Sequence, residues 1–223
     1  MPTEPTGRRP LKTREWPFFK NLAATLAHAG VTPNAISCAS IVCGCSAGAA
    51  LAATSQTGGF SQSAYWLVAA VSIQLRLIAN LLDGMVAVEG RKGGPIGELW
   101  NEAPDRISDA AIFIGAGYAA GSAPVLGFAA ALVAVFVAYL RALGASVGAG
   151  QCFLGPQAKP QRMALMTGVC VLSALVPRYS TLIGEQPLPA LAIALWIVIV
   201  GGIITAWRRL AFIAGFLRKK SHP

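Results

Sequence analysis

Six long apolar runs, separated by short polar connections, constrain this chain more than any other feature. A helix crossing a bilayer needs about 20 predominantly apolar residues, because lipid offers no partner for an open backbone N–H or C=O. The runs cover residues 34–54, 63–88, 97–120, 123–144, 163–176 and 188–207, the fifth being the shortest. Each is apolar on nearly every side, whereas the strands of a membrane barrel alternate over about ten residues. The prediction is an all-α membrane protein with about six transmembrane helices. A content of 55% hydrophobic and 12% charged residues agrees, being too apolar for an ordinary soluble domain.

A net charge of +9 raises the question of nucleic acid. That partner is excluded because the basic residues border apolar runs instead of forming a patch on a soluble fold. Arg8, Arg9, Lys12, Arg14 and Lys20 precede the first run, and Arg208, Arg209, Arg218, Lys219 and Lys220 follow the last. The positive-inside rule then places both termini in the cytoplasm, which demands an even number of spans. Arg91, Lys92, Lys159 and Arg162 fall on the same side, while the opposite connections carry only Arg178. Ahead of the first span, residues 16–28 mix aromatic and aliphatic side chains with Lys20 and predict an N-terminal interfacial helix. Residues 1–15, rich in Pro, Thr and Arg, read as a disordered cytosolic tail with no secretory-signal pattern, and 16–223 as a single membrane domain. The five cysteines form no C-x-x-C pair and read as small packing residues. Gly44 with Gly48, and Gly144 with Gly148, are small-xxx-small pairs that permit close helix contact.

Six of the nine acidic residues lie between positions 83 and 109: Asp83, Glu89, Glu98, Glu102, Asp105 and Asp109. A charge at the centre of a lipid-facing helix costs about 2.5 to 3.5 kcal/mol. Arg76, Asp83, Asp105, Arg106 and Asp109 facing lipid would together consume the whole stability of an ordinary domain, about 5 to 15 kcal/mol. They must line a cavity inside the bundle. Arg76, Asn80 and Asp83 share one face of the second span, and Asn101, Asp105 and Asp109 one face of the third. The connection between them contains Gly90, Gly93, Gly94 and Pro95, a composition suited to a turn that brings the two faces together. Oxygen ligands gathered from two antiparallel helices suit Mg2+ or Mn2+, which keep waters and complete their shell with substrate phosphates.

The run 80–105, NLLDGMVAVEGRKGGPIGELWNEAPD, resembles the signature of the CDP-alcohol phosphatidyltransferase family, D-x2-D-G-x2-A-R-x8-G-x3-D-x3-D. Asp83, Gly84, Ala87, Gly97 and Asp105 match it in type and spacing, and the entry Val31-Thr32-Pro33-Asn34 is also similar to the family's. Three positions depart from it: Asn80 and Asn101 replace the first and third Asp, and Val88 replaces Arg. Together with Arg76, seven residues before Asp83, these departures resemble a divergent bacterial branch.

The resemblance implies transfer of a phosphatidyl group from a CDP-activated lipid, such as CDP-diacylglycerol, to an alcohol acceptor, with release of CMP. It implies that Asn80, Asp83, Asn101 and Asp105 hold the metal, and that Asp105 is the general base toward the acceptor hydroxyl. The same resemblance leaves Gly84 and Ala87 small so that the nucleotide can approach the helix. Asn34, Arg76, Gly97, Glu102, Asp109, Lys159 and Arg162 complete the expected substrate site, with Arg76 paired to Asp83 or Asp105, and Glu102 or Asp109 adding the negative charge that Asn80 and Asn101 lack. A bacterial inner-membrane location and a homodimer follow by analogy alone. Two other readings stay open: a catalytically silent scaffold of the same fold, suggested by Asn80 and Asn101, and a small-solute transporter, which no repeated halves support.

Overall fold

A computed structural model describes residues 15–89, 97–176 and 190–221. Seven α-helices account for most of them: α1 Pro17–His28, α2 Pro33–Ala53, α3 Gly59–Glu89, α4 Gly97–Gly117, α5 Pro124–Ser146, α6 Lys159–Leu175 and α7 Ala190–Ser221. Proline stands in the first two positions of α1, α2, α5 and α6, where its missing N–H costs nothing and its fixed φ suits the helix. Thr32 caps α2 by accepting from the Ala35 amide at 3.2 Å.

The six helices after α1 correspond to the six expected runs, but they are not alike. Four of them are long and apolar enough to cross a membrane: Pro33–Gln56, Gly59–Val88, Pro124–Ser146 and Ala190–Lys220. The other two carry the charges. Glu102, Asp105, Arg106 and Asp109 lie in α4, and α6 has 17 residues and opens on Lys159 and Arg162. Their polar faces are tolerable because α4 packs against α2 and α5, and α6 against α3 and α7, so protein and not lipid meets the charge. The predicted turn between α3 and α4, the tail 1–14 and the loop 177–189 with Arg178 lie outside the described residues.

Small residues bring the charged α4 unusually close to α2. A Cβ added at Gly44 would lie 2.6 Å from Ser108 Cβ, one at Gly48 would overlap the Ala111 carbonyl oxygen, and one at Gly115 would overlap Gly48 itself. The Ser108 hydroxyl donates to the Ser40 carbonyl at 3.2 Å across the same contact. The Gly44–Gly48 pair therefore works as its spacing suggests. Of Gly144 and Gly148 only the first does: a Cβ at Gly144 would lie 3.3 Å from Ile213 of α7, whereas α5 ends at Ser146 and Gly148, with φ +84° beyond it, serves the turn.

Beneath this contact a core of Leu51, Trp66, Ile73, Ile112, Phe113, Met163, Met166 and Leu195 fills the bundle. The α1 helix covers one end, packing Ala23, Phe19 and Leu22 against Ile36, Leu82 and Val86 while Trp16 and Phe18 stay exposed. This is the layout expected of an interfacial helix. The α7 helix runs well past the expected 207, and Arg209, assigned above to a basic flank, is buried. It donates to the carbonyls of Leu154 at 3.2 Å and Val137 at 2.6 Å. The segment leading into α6 is thereby pinned to α7, helped by the Gln157 amide donating to Thr205 Oγ1 at 3.1 Å.

Candidate active site

The polar face of α3 presents Arg76, Asn80 and Asp83, and that of α4 presents Asp105 and Asp109, as the four-residue and three-residue spacings require. The start of α6 adds Lys159 and Arg162 between them. Arg76 is fully buried and is the centre of the network. Its Nη2 donates to Asp105 Oδ1 at 3.0 Å and to the Asp105 carbonyl at 3.3 Å, and lies 2.7 Å from Asp109 Oδ1. The expected pairing with Asp105 is present, while the alternative partner Asp83 is replaced by Asp109.

Asp109 is in turn 3.4 Å from Arg162 Nη2, and the Arg162 guanidinium stands 6.0 Å from the Phe113 ring centroid. Two arginines thus enclose one carboxylate that is only 1% exposed. Both oxygens of Asp109, expected to add negative charge toward a cation, face guanidinium groups. Glu102 is committed in the same manner, to Arg106 at 3.0 Å and to Arg141 in close contact.

The remaining oxygens converge elsewhere. Lys159 Nζ donates to Asn80 Oδ1 at 2.6 Å and forms a close ion pair with Asp105 Oδ2, so residues from α3, α4 and α6 meet at a single ammonium. Asp83 accepts from Ser37 Oγ at 3.0 Å through Oδ2, while its buried Oδ1 receives no side-chain donor among the described residues. A buried carboxylate oxygen without a donor is costly unless something positive completes it. Among the described residues no three His, Cys, Asp or Glu side chains are set to hold an ion. Asp83, Asp105 and Asn80 offer hard oxygen donors of the kind Mg2+ and Mn2+ accept, and two of them, Asp105 Oδ2 and Asn80 Oδ1, meet at Lys159. The side chain of Asn101 lies outside the described residues.

Other expected residues take varied places. An added Cβ at Gly84 meets none of the described residues within 4 Å, and Ala87 is half-buried one turn on. Asn34 is exposed in the first turn of α2, and Gly97 opens α4. Three participants went unrecognised. Ser37 could not be singled out in a small-residue helix. Arg106 counted only as a charge to be sheltered, with no partner assigned. Arg141, the lone charge within α5, carried a usable signal, because a single arginine in an apolar helix needs a carboxylate.

No family profile matches the chain. It is 28% identical over 147 residues to archaetidylinositol phosphate synthase from Aeropyrum pernix, covering 66% of this chain and 70% of that one. Its fold is similar to that of a Mycobacterium tuberculosis phosphatidylinositol phosphate synthase crystallised with CDP-DAG bound, with a TM-score of 0.68, 20% identity, and coverage of 87% and 92% of the two chains. The same enzyme in complex with manganese and citrate also matches with a TM-score of 0.68 and 20% identity, over 87% and 88% of the chains. The architecture deduced from six apolar runs is thus one that solved membrane proteins adopt.

Proposed function

We infer that this chain, which belongs to the CDP-alcohol phosphatidyltransferase family, is an integral-membrane enzyme of phospholipid synthesis that moves a phosphatidyl group from CDP-diacylglycerol to an alcohol and releases CMP. The observation that carries this reading is the meeting of Asn80 on α3, Asp105 on α4 and Lys159 on α6, on the helix faces that also carry the buried Asp83. Beside Asp83, an added Cβ at Gly84 meets none of the described residues, which leaves a face of α3 where a nucleotide can lie.

The reaction needs four things of these residues. Asp83, Asp105 and the amides Asn80 and Asn101 would hold Mg2+ or Mn2+, which supplies Lewis-acid neutralisation of the pyrophosphate. Asp105 takes the proton of the acceptor hydroxyl while that oxygen forms a bond to the lipid-proximal phosphorus and the bond from phosphorus to CMP breaks. Arg76, donating to Asp105 Oδ1, holds that carboxylate in one orientation. Lys159 and Arg162, at the entrance of α6, attract the negative charge of the substrates.

The basic flanks support a cytoplasmic position for both termini and the site, and the branch resemblance supports a bacterial inner membrane. The direct test is CMP release from CDP-diacylglycerol by the purified protein in detergent, with Mg2+ or Mn2+ and a panel of polyols, phosphorylated polyols and serine. Release that depends on one acceptor establishes the activity. No release with any acceptor, in a protein that still binds CDP, favours the scaffold reading suggested by Asn80 and Asn101.

A further inference from the structure

The charge network continues beyond the buried carboxylates. Arg106 Nη2 lies 4.0 Å from Asp105 Oδ2 and 3.0 Å from Glu102 Oε2, its Nε donates to the Glu102 carbonyl at 3.3 Å, and Glu102 Oε1 is in close contact with Arg141 Nη2 on α5. Charges of alternating sign thus run from Asp105 through Arg106 and Glu102 to Arg141. The site opens in the same direction. The Glu102 side chain is 44% exposed and those of Arg106 and Arg141 25% and 23%, whereas Arg76, Asp105 and Asp109 are exposed by 8% or less. A water-soluble alcohol that approaches Asp105 from this side meets Glu102 first.

We propose that Glu102 sets the acceptor class of this site: its carboxylate, fixed between Arg106 and Arg141 beside Asp105, accepts a second hydroxyl of an uncharged polyol and denies both guanidiniums to an acceptor phosphate.

Charge, capacity and placement each support this assignment. Two guanidiniums around an open position would form a ready oxyanion site. Here a carboxylate already fills it, and the two carboxylates and two guanidiniums of the cluster sum to zero, so an entering phosphate finds no excess cation and a like charge in its place. Each Glu102 oxygen meets one guanidinium and, as an ionised carboxylate oxygen, can accept another donor, which a hydroxyl supplies and a phosphate dianion does not. Glu102 and Asp105, three residues apart on α4, are neighbours about 5 to 6 Å apart at Cβ, so one small polyol can offer a hydroxyl to each. Arg141 is the only charged residue of α5, a helix apolar enough to cross the membrane, where an arginine is costly without a carboxylate. Its partner comes from a different helix, so the pair is built by the fold and is not a contact between neighbours along one helix.

This inference rests on the transferase reading, and its test is chosen to separate the two. CMP release from CDP-diacylglycerol by purified full-length protein in detergent with Mg2+ is measured with serine and with matched acceptors, glycerol against glycerol 3-phosphate and inositol against inositol 1-phosphate, and kcat/KM is compared within each pair. Wild type is expected to favour the unphosphorylated member of the pair it accepts. E102Q keeps the size of the side chain but frees both guanidiniums from its charge, and should move the ratio toward the phosphorylated member by about tenfold or more, the worth of one charged hydrogen bond. E102S, smaller and likewise uncharged, should shift it in the same direction, so a folding failure of either variant leaves the other to decide. A role confined to holding α4 against α5 would lower both members of a pair alike. Wild-type preference for the phosphorylated member, activity with serine alone, or a ratio unchanged in a monodisperse E102Q or E102S overturns the proposal and leaves the transferase standing. No CMP release by wild type with any of these acceptors refutes the transferase reading itself.

Discussion

Replacing Arg76 with methionine removes the charge on which the buried network turns while keeping an unbranched apolar side chain of similar reach. Its guanidinium serves Asp105 through Oδ1 and the main-chain oxygen, and Asp109 through Oδ1, on carboxylates exposed by only 6% and 1%. In R76M, Asp105 keeps Lys159 and Asp109 keeps Arg162 at 3.4 Å, but two carboxylate oxygens lose their main donor. Breaking a buried ion pair by removing one partner costs about 3 to 5 kcal/mol, largely the penalty of the charge left behind. The cost should be read as the shift in unfolding free energy on titrating the purified protein from dodecyl maltoside into sodium dodecyl sulfate micelles. A second variant isolates the interaction. D109N discharges one of the stranded partners, so R76M/D109N should be less destabilised than the sum of its parts by about 1 to 3 kcal/mol. CMP release by R76M should fall in parallel, because Asp105 is no longer held in place. An R76M protein within about 1 kcal/mol of wild type, or strict additivity with D109N, would refute the view that Arg76 compensates both carboxylates.

The catalytic assignment predicts that D105N lowers CMP release by about a hundredfold to ten-thousandfold, the usual worth of a general base, while the protein still inserts and purifies. D83N should lose activity comparably and bind Mn2+ more weakly, and full activity in either variant would remove that residue from the mechanism. Leucine at Gly48 must displace the Ala111 main chain, so G48L is expected to cost at least about 1 to 3 kcal/mol in the same unfolding titration. G168A, with nothing within 4 Å of its new Cβ, should be neutral or gain up to about 1 kcal/mol, and equal effects would discount the close α2–α4 contact. For topology, a cysteine at Ser61 in a chain lacking the native five should react with an impermeant thiol reagent applied outside the cell. Protection of Ser61 combined with labelling of a cysteine at Ser221 would reverse the orientation.

How much was legible in the sequence depended on the kind of physics each residue obeys. The helices were legible because lipid tolerates no other open backbone, so an apolar run of sufficient length has only one outcome. The pairing of α3 and α4 was legible from period alone: Arg76, Asn80 and Asp83 on one helix, and Asp105 and Asp109 on the next, fall on single faces whatever packs around them. Partner choice within those faces was not. Arg76 had two expected partners, Asp83 and Asp105, and that it takes Asp109 beside Asp105 depends on the depth at which α4 slides past α3, which no local pattern encodes. Arg209 was misassigned for a related reason. Counting it as a cytoplasmic flank uses only its distance along the chain from the apolar run, whereas its burial results from the segment 147–158 folding back over α7 to meet it.

The close α2–α4 contact and the buried charges belong to a single physical solution. A helix with Asp105 and Asp109 on one face cannot be held by apolar contact on that face, since burying a charge against hydrocarbon costs more than the contact returns. Its grip must come from a neighbouring face. There Gly44, Gly48 and Gly115 let the two backbones approach closely, and the Ser108 hydroxyl donates to the Ser40 carbonyl. Close main-chain packing stabilises α4 by dispersion and a direct hydrogen bond, without demanding that its polar face be apolar. The glycines that look like ordinary packing residues are therefore what permits a charged helix to lie within a membrane bundle. By the same reasoning, a bulky residue at position 48 should disturb the Asp105–Lys159 contact, although position 48 touches neither residue.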